Sequence, residues 1–128
     1  MSGSPVVNGL DRLSLNQITT KGWSLPEAVR GCADAGIPAI GLWRDKVAET
    51  GLARSAKLCR DAGLAVSSLC RGGFLTADGP EQRRAALADN LLAIEEAAEL
   101  GTDTLVLVVG GLPAGSRDLV GARAAVAD

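Results

Sequence analysis

A chain of 128 residues, 47% apolar and 22% charged, can bury one core of ordinary size and reads as a single soluble domain over 1–128. Thirteen basic against 15 acidic side chains, a net charge of -2, leave no broad positive field to neutralise the phosphates of a nucleic acid. Histidine is absent, which removes the commonest general base, the commonest zinc ligand and any Ser-His or Cys-His nucleophile pair.

The opening MSGSPVVNG lacks the basic start and long apolar region of a signal peptide. No apolar run approaches the roughly 18 to 20 residues of a membrane span, so no membrane partner is expected and the expected location is the cytoplasm. Gly9-Leu10 leads into Leu13-Ser14-Leu15-Asn16-Gln17, a first strand expected over 12–17. Ser24-Leu25-Pro26-Glu27 then reads as a helix start: the Ser24 hydroxyl caps, Glu27 reaches back, and Pro26 is tolerated in the first turn. Leu25, Ala28, Val29, Cys32 and Ala33 fall on one stripe, and Gly36 supplies the left-handed stop. The apolar run 37–43, with its proline near the beginning, reads as a second strand over 38–43.

The phrase then recurs. "CADAGIPAIGLWR", Cys32 to Arg44, is echoed by "CRDAGLAVSSLCR", Cys59 to Arg71, with Cys, Asp, Ala, Gly and the closing Arg in the same places. In the second copy Leu52, Ala56 and Cys59 stripe a helix, Gly63 stops it, and 64–70 is a strand. A weaker third copy follows, with Leu87, Leu91, Ile94 and Ala98 striping a long helix over 80–100, Gly101 ending it, and a strongly β-forming strand over 104–109. A further helix starts near Asp118. Cys32, Cys59 and Cys70, odd in number and widely spaced, fit neither a disulfide framework nor a thiolate metal site and read as buried core thiols.

Strands alternating with helices require a parallel sheet, because each helix is the crossover returning the chain to the same edge. A doubly wound sheet and a (β/α)8 barrel both satisfy this, and both put ligands at the carboxyl ends of the strands. Neither a dinucleotide fingerprint nor a P-loop follows the first strand.

The repeat delivers polar and aromatic side chains to those strand ends: Asn16 and Gln17, Trp43 and Arg44, Arg71-Gly72-Gly73-Phe74, and Gly110-Gly111. Two arginines and two aromatics suit an anionic or polyhydroxylated small molecule. Each has a plainer reading beside this one. Arg44 and Arg71 also suit structural salt bridges, Trp43 and Phe74 a roof over the core, and Asn16 and Gln17 turns. Gly72-Gly73 and Gly110-Gly111 read most economically as loop flexibility, and Asp45, Glu49, Glu95, Glu96 and Glu99 as helix-surface charges.

The order "LSLNQITT", "GIPAIGLWRDKV", "CRDAGLAVSSLCRGGF" and "AAELGTDTLVLVVGG" resembles the amino-terminal half of the sugar phosphate isomerase/epimerase family, the xylose isomerase-like (β/α)8 barrels. The resemblance implies the first half of such a barrel, stopping inside its fourth helix, and a whole protein that interconverts hydroxy-aldehyde and ketone sugars by proton or hydride transfer. It implies a divalent metal (Mn, Mg, Zn or Co) held by Glu, Asp, and His or Gln on later strands, so neither metal ligands nor an acid/base pair are assigned to this chain. The wall of a carbohydrate pocket is assigned to Asn16, Gln17, Trp43, Arg44, Arg71 and Phe74. Two other readings stand beside it: a non-catalytic half-barrel that binds a partner chain, and the apurinic-site endonuclease branch of the same superfamily, against which the acidic balance argues. Four strands leave two open edges, so the isolated chain is expected to associate into dimers or larger species, or to be poorly soluble, without isomerase activity of its own.

Overall fold

The computed structural model describes residues 9–128; the leader-peptide reading of 1–8 lies outside them. Four parallel strands, β1 (Ser14–Asn16), β2 (Ala39–Trp43), β3 (Ala65–Gly73) and β4 (Leu105–Val108), form one sheet in the order β1-β2-β3-β4. Helices α1 (Leu25–Ala35), α2 (Arg44–Thr50), α3 (Leu52–Asp61), α4 (Gly79–Leu100) and α5 (Leu119–Ala127) alternate with them, and a 3-10 turn spans Gln17–Thr20. A strictly sequential order decides between the two candidate architectures. A doubly wound sheet reverses its strand order at a switch point, whereas a barrel adds each strand beside the last. The chain is α/β with the topology of a partial (β/α)8 barrel. Among the described residues no helix is long and apolar enough to cross a membrane.

One core cluster joins Leu25, Val29 and Cys32 of α1, Ala56 and Cys59 of α3, Ala97 and Leu100 of α4, and Ile40, Leu42 and Leu69 of the sheet. Local chemistry sets the boundaries. Ser24 accepts from the Glu27 N–H at 3.3 Å while the Glu27 carboxylate accepts from the Ser24 N–H at 3.0 Å, closing the expected capping box. Gly36, at φ 73°, ends α1 in the left-handed region. All three cysteines are free and buried, as their spacing indicated.

Several expectations are corrected. The first strand is shorter than 12–17, because Gln17 already belongs to the turn. Gly51 splits the segment after β2 into α2 and α3. β3 runs on through Gly72 and Gly73, so these glycines are strand rather than loop: β4 passes so close that a Cβ on Gly73 would fall on the carbonyl oxygen of Val108. The stripe Leu87, Leu91, Ile94 is not the buried face of α4. Ala93, Ala97 and Leu100 are, because small side chains let the helix lie close on the sheet. Ala33, expected on the buried stripe of α1, is exposed.

Candidate functional site

The carboxyl ends of β2 and β3 frame a cleft of about 290 Å3 lined by Trp43, Arg44, Asp45, Cys70, Arg71, Phe74 and Asp89. Four of the six residues assigned from sequence therefore meet in one place. Trp43 and Cys70 are register partners across β2 and β3. Arg71 reaches the cleft because it is the extra residue of a bulge: Cys70 pairs with Val106 and Gly72 with Leu107, leaving Arg71 between them.

Asn16 and Gln17 stand behind the cleft instead of lining it. The Asn16 side-chain oxygen accepts from Trp43 Nε1–H at 2.7 Å and from the Ile18 N–H at 3.1 Å, fixing the indole. Gln17 is 2% exposed, and its Oε1 accepts the Trp43 backbone N–H at 2.5 Å, bolting the end of β1 to the end of β2. Its Nε2 is buried without a hydrogen-bond partner.

The two arginines differ sharply. Arg44 Nη1 and Nη2 donate to Asp89 Oδ2 and Oδ1 at 2.8 and 2.9 Å, Nε donates to Glu96 Oε2 at 2.9 Å, and Nη1 donates also to the Arg71 carbonyl at 3.2 Å. One Nη2–H is left over. The hydrogen bonds that Arg44 donates, to Asp89 above all and more weakly to Glu96, push its guanidinium further up its already high range although burial opposes them, while Arg44 holds Asp89 below the usual carboxylate range. Glu96, expected as a surface charge, is only 17% exposed at its side chain and belongs to this network.

Arg71 has no carboxylate within ion-pairing distance among the described residues. Its guanidinium carbon lies 5.0 Å from the centre of the Phe74 ring, and both side chains are exposed. Phe74 sits at φ 58°, a conformation costly for a bulky residue, pinned by its N–H donating to Val108 O at 2.7 Å. On the residue before it, Asn90 of α4 accepts the Gly73 N–H at 2.6 Å and donates to the Gly73 carbonyl at 2.8 Å, holding both backbone polar groups of that glycine. Gly110 lies in an adjoining concavity with Phe74 and Thr76 rather than in the cleft.

Asp89, Asn90 and Glu96 were not found by reading the sequence. The one signal was Asn90 and Asp89 interrupting an otherwise alanine- and leucine-rich stretch. Among the described residues no three His, Cys, Asp or Glu side chains come together to hold a metal ion.

A family model described as xylose isomerase-like TIM barrel matches residues 29–128. A crystal structure from Sinorhizobium meliloti 1021 superposes with a TM-score of 0.87 at 46% identity, over 91% of this chain and 43% of that one. A xylose isomerase-like TIM barrel/4-hydroxyphenylpyruvate dioxygenase fusion protein shares the fold, with a TM-score of 0.64 at 19% identity over 73% of this chain and 15% of that one. This chain thus spans less than half the length of either solved structure. No curated protein matches it significantly.

Proposed function

Because the chain belongs to the xylose isomerase-like TIM barrel family, we propose that it forms the substrate-pocket wall of a metal-dependent isomerase or epimerase acting on sugars or sugar phosphates. The observation that carries this is Arg71, a cation without a carboxylate partner, laid on Phe74 at the mouth of a cleft beside Trp43. An anionic group on a small substrate completes that arrangement, since guanidinium pairs bidentately with phosphate or carboxylate. The rings of Trp43 and Phe74 cover the apolar face of a sugar.

Arg44 has a different part. With Asp89 and Glu96 holding it, it fixes the carbonyl of Arg71 and so the direction of the bulge. The divalent metal such chemistry uses would polarise a carbonyl or stabilise an enediolate oxygen. The described residues do not provide its ligand set.

Titration of the chain with a hexose phosphate, read by tryptophan fluorescence, tests the reading. Binding is expected to weaken about ten- to hundredfold in Arg71→Ala, the loss of one charged hydrogen-bonded contact at about 1.5–3 kcal/mol. A neutral hexose should be held less tightly and should not respond to the substitution. Equal binding of the hexose phosphate by both proteins would remove Arg71 from the site.

A further inference from the structure

Arg71-Gly72-Gly73-Phe74 carries two of the side chains that line the cleft, one at either end of a glycine pair. A glycine pair leaves the backbone its widest choice of conformations and offers no side chain to anchor it. The anchors come from outside. The Arg71 carbonyl accepts from Arg44 Nη1 at 3.2 Å, and the Phe74 N–H donates to Val108 O at 2.7 Å. Between these two points Asn90 takes both polar groups of Gly73, accepting from its N–H at 2.6 Å and donating to its carbonyl at 2.8 Å. Asn90 Nδ2 also donates to the Ala86 carbonyl of its own helix at 2.7 Å, which fixes the plane of the carboxamide.

Gly72 is what admits this carboxamide. A Cβ there would stand 2.6 Å from Asn90 Oδ1, whereas a Cβ on Gly73 would fall on the Val108 carbonyl, so the two glycines make room for two different partners. Among side chains of this length only a carboxamide accepts from an N–H and donates to a carbonyl at once; a carboxylate would repel the Gly73 carbonyl, and leucine would leave both groups unpaired. Phe74 follows directly at φ 58°, a conformation that a bulky residue keeps only where its surroundings over-determine it, and its ring centre lies 5.0 Å from the Arg71 guanidinium carbon.

We infer that Asn90 is a positioning residue for anion recognition: by fixing the backbone between Arg71 and Phe74, it sets the guanidinium and the ring for a phosphate group that it does not itself touch. This role rests on the reading of Arg71 as the anion-binding group. It adds that α4 helps to decide how tightly an anion is held, since Asn90 fixes Gly73 directly while the adjacent Asp89 holds Arg44, and through it the Arg71 carbonyl.

The probe is a hexose phosphate, with the neutral hexose beside it, titrated by tryptophan fluorescence into the parent chain, Asn90→Ala, Arg71→Ala and the double variant. Asn90→Ala should weaken the hexose phosphate about tenfold when Arg71 is present and less than about twofold when it is not, the coupling of two residues that serve one contact. The neutral hexose should not respond. Gly72→Ala, which displaces the carboxamide with Asn90 still in the chain, should copy the loss, and it carries the same comparison if Asn90→Ala does not keep the circular dichroism of the parent. Equal losses with and without Arg71, equal losses for the phosphate and the neutral sugar, or full affinity in Asn90→Ala would each overturn the positioning role. Parent-like binding by Arg71→Ala would instead overturn the reading of the site itself, an outcome that the same four proteins keep distinct.

Discussion

Arg44 and Asp89 meet fork to fork, Nη1 to Oδ2 at 2.8 Å and Nη2 to Oδ1 at 2.9 Å, across 45 residues of sequence. The pair ties the carboxyl end of β2 to the middle of α4, and Glu96 closes on the Nε–H from one side. Arg44→Lys keeps the charge but offers no planar fork and cannot reach both carboxylates. Urea unfolding should show a loss of about 1.5–3 kcal/mol, that of a charge-assisted hydrogen bond, with an unchanged m value. A stability equal to the parent's would make the network incidental.

The same pair sets a response to acid. Arg44 depresses the Asp89 carboxyl below its ordinary value of 3.8. A depressed acid contributes its stability in full above the unfolded value and loses it as pH falls through the lower folded value. Melting temperatures of parent and Asp89→Asn should therefore differ at neutral pH and converge below about pH 3.8. A gap that persists at pH 2 would assign the effect to something other than ionisation.

Gly73, at φ 110°, is required twice over, by its left-handed conformation and by the Val108 carbonyl against it. Gly73→Ala should cost at least about 1–3 kcal/mol through backbone strain alone, with more from the displaced β4. Gly111→Ala, where no heavy atom lies within 4 Å of the new methyl, is the control and should be near neutral. Equal stabilities for the two variants in chemical denaturation would contradict the strand pairing described for β3 and β4.

Burial, with a smaller effect from neighbouring Cys32, pushes the Cys59 thiol up to about 11 from an ordinary value of 9.0. A thiol whose folded value is raised contributes stability below the unfolded value and loses it between about pH 9 and pH 11. Cys59→Ala should flatten this alkaline loss while lowering stability at pH 7 through the missing sulfur contacts. In the parent, a thiol reagent at pH 8 should label Cys32 and Cys59 only after denaturation, since both lie in the core cluster, whereas Cys70 lines the cleft. Fast labelling of Cys59 in the native chain would show that this part of the core opens.

Reading along the chain found the four strands and the main helices between them, because each is written in residues a few positions apart, but not the short α2 or the 3-10 turn after β1. The capping box of Ser24 and Glu27, the left-handed stop at Gly36 and the apolar period of α1 are local, and short-range bonds settle them. Trp43 could be placed at the end of a strand by the same counting, whereas the bulge that carries Arg71 inside β3 could not. Other features depended on which segments come together. Strand order separated the barrel from the doubly wound sheet, since both share one alternation of elements. Close approach to the sheet selected Ala93 and Ala97 over the larger Leu87 and Leu91 as the buried side of α4, although the leucines make the stronger sequence signal. Arg44 and Arg71 close equivalent copies of one phrase, yet one is held by Asp89 and Glu96 and the other is left facing the cleft, because only β2 carries its arginine against the acidic side of α4. Periodicity is an energy between neighbours in sequence, and these choices are energies between neighbours in space.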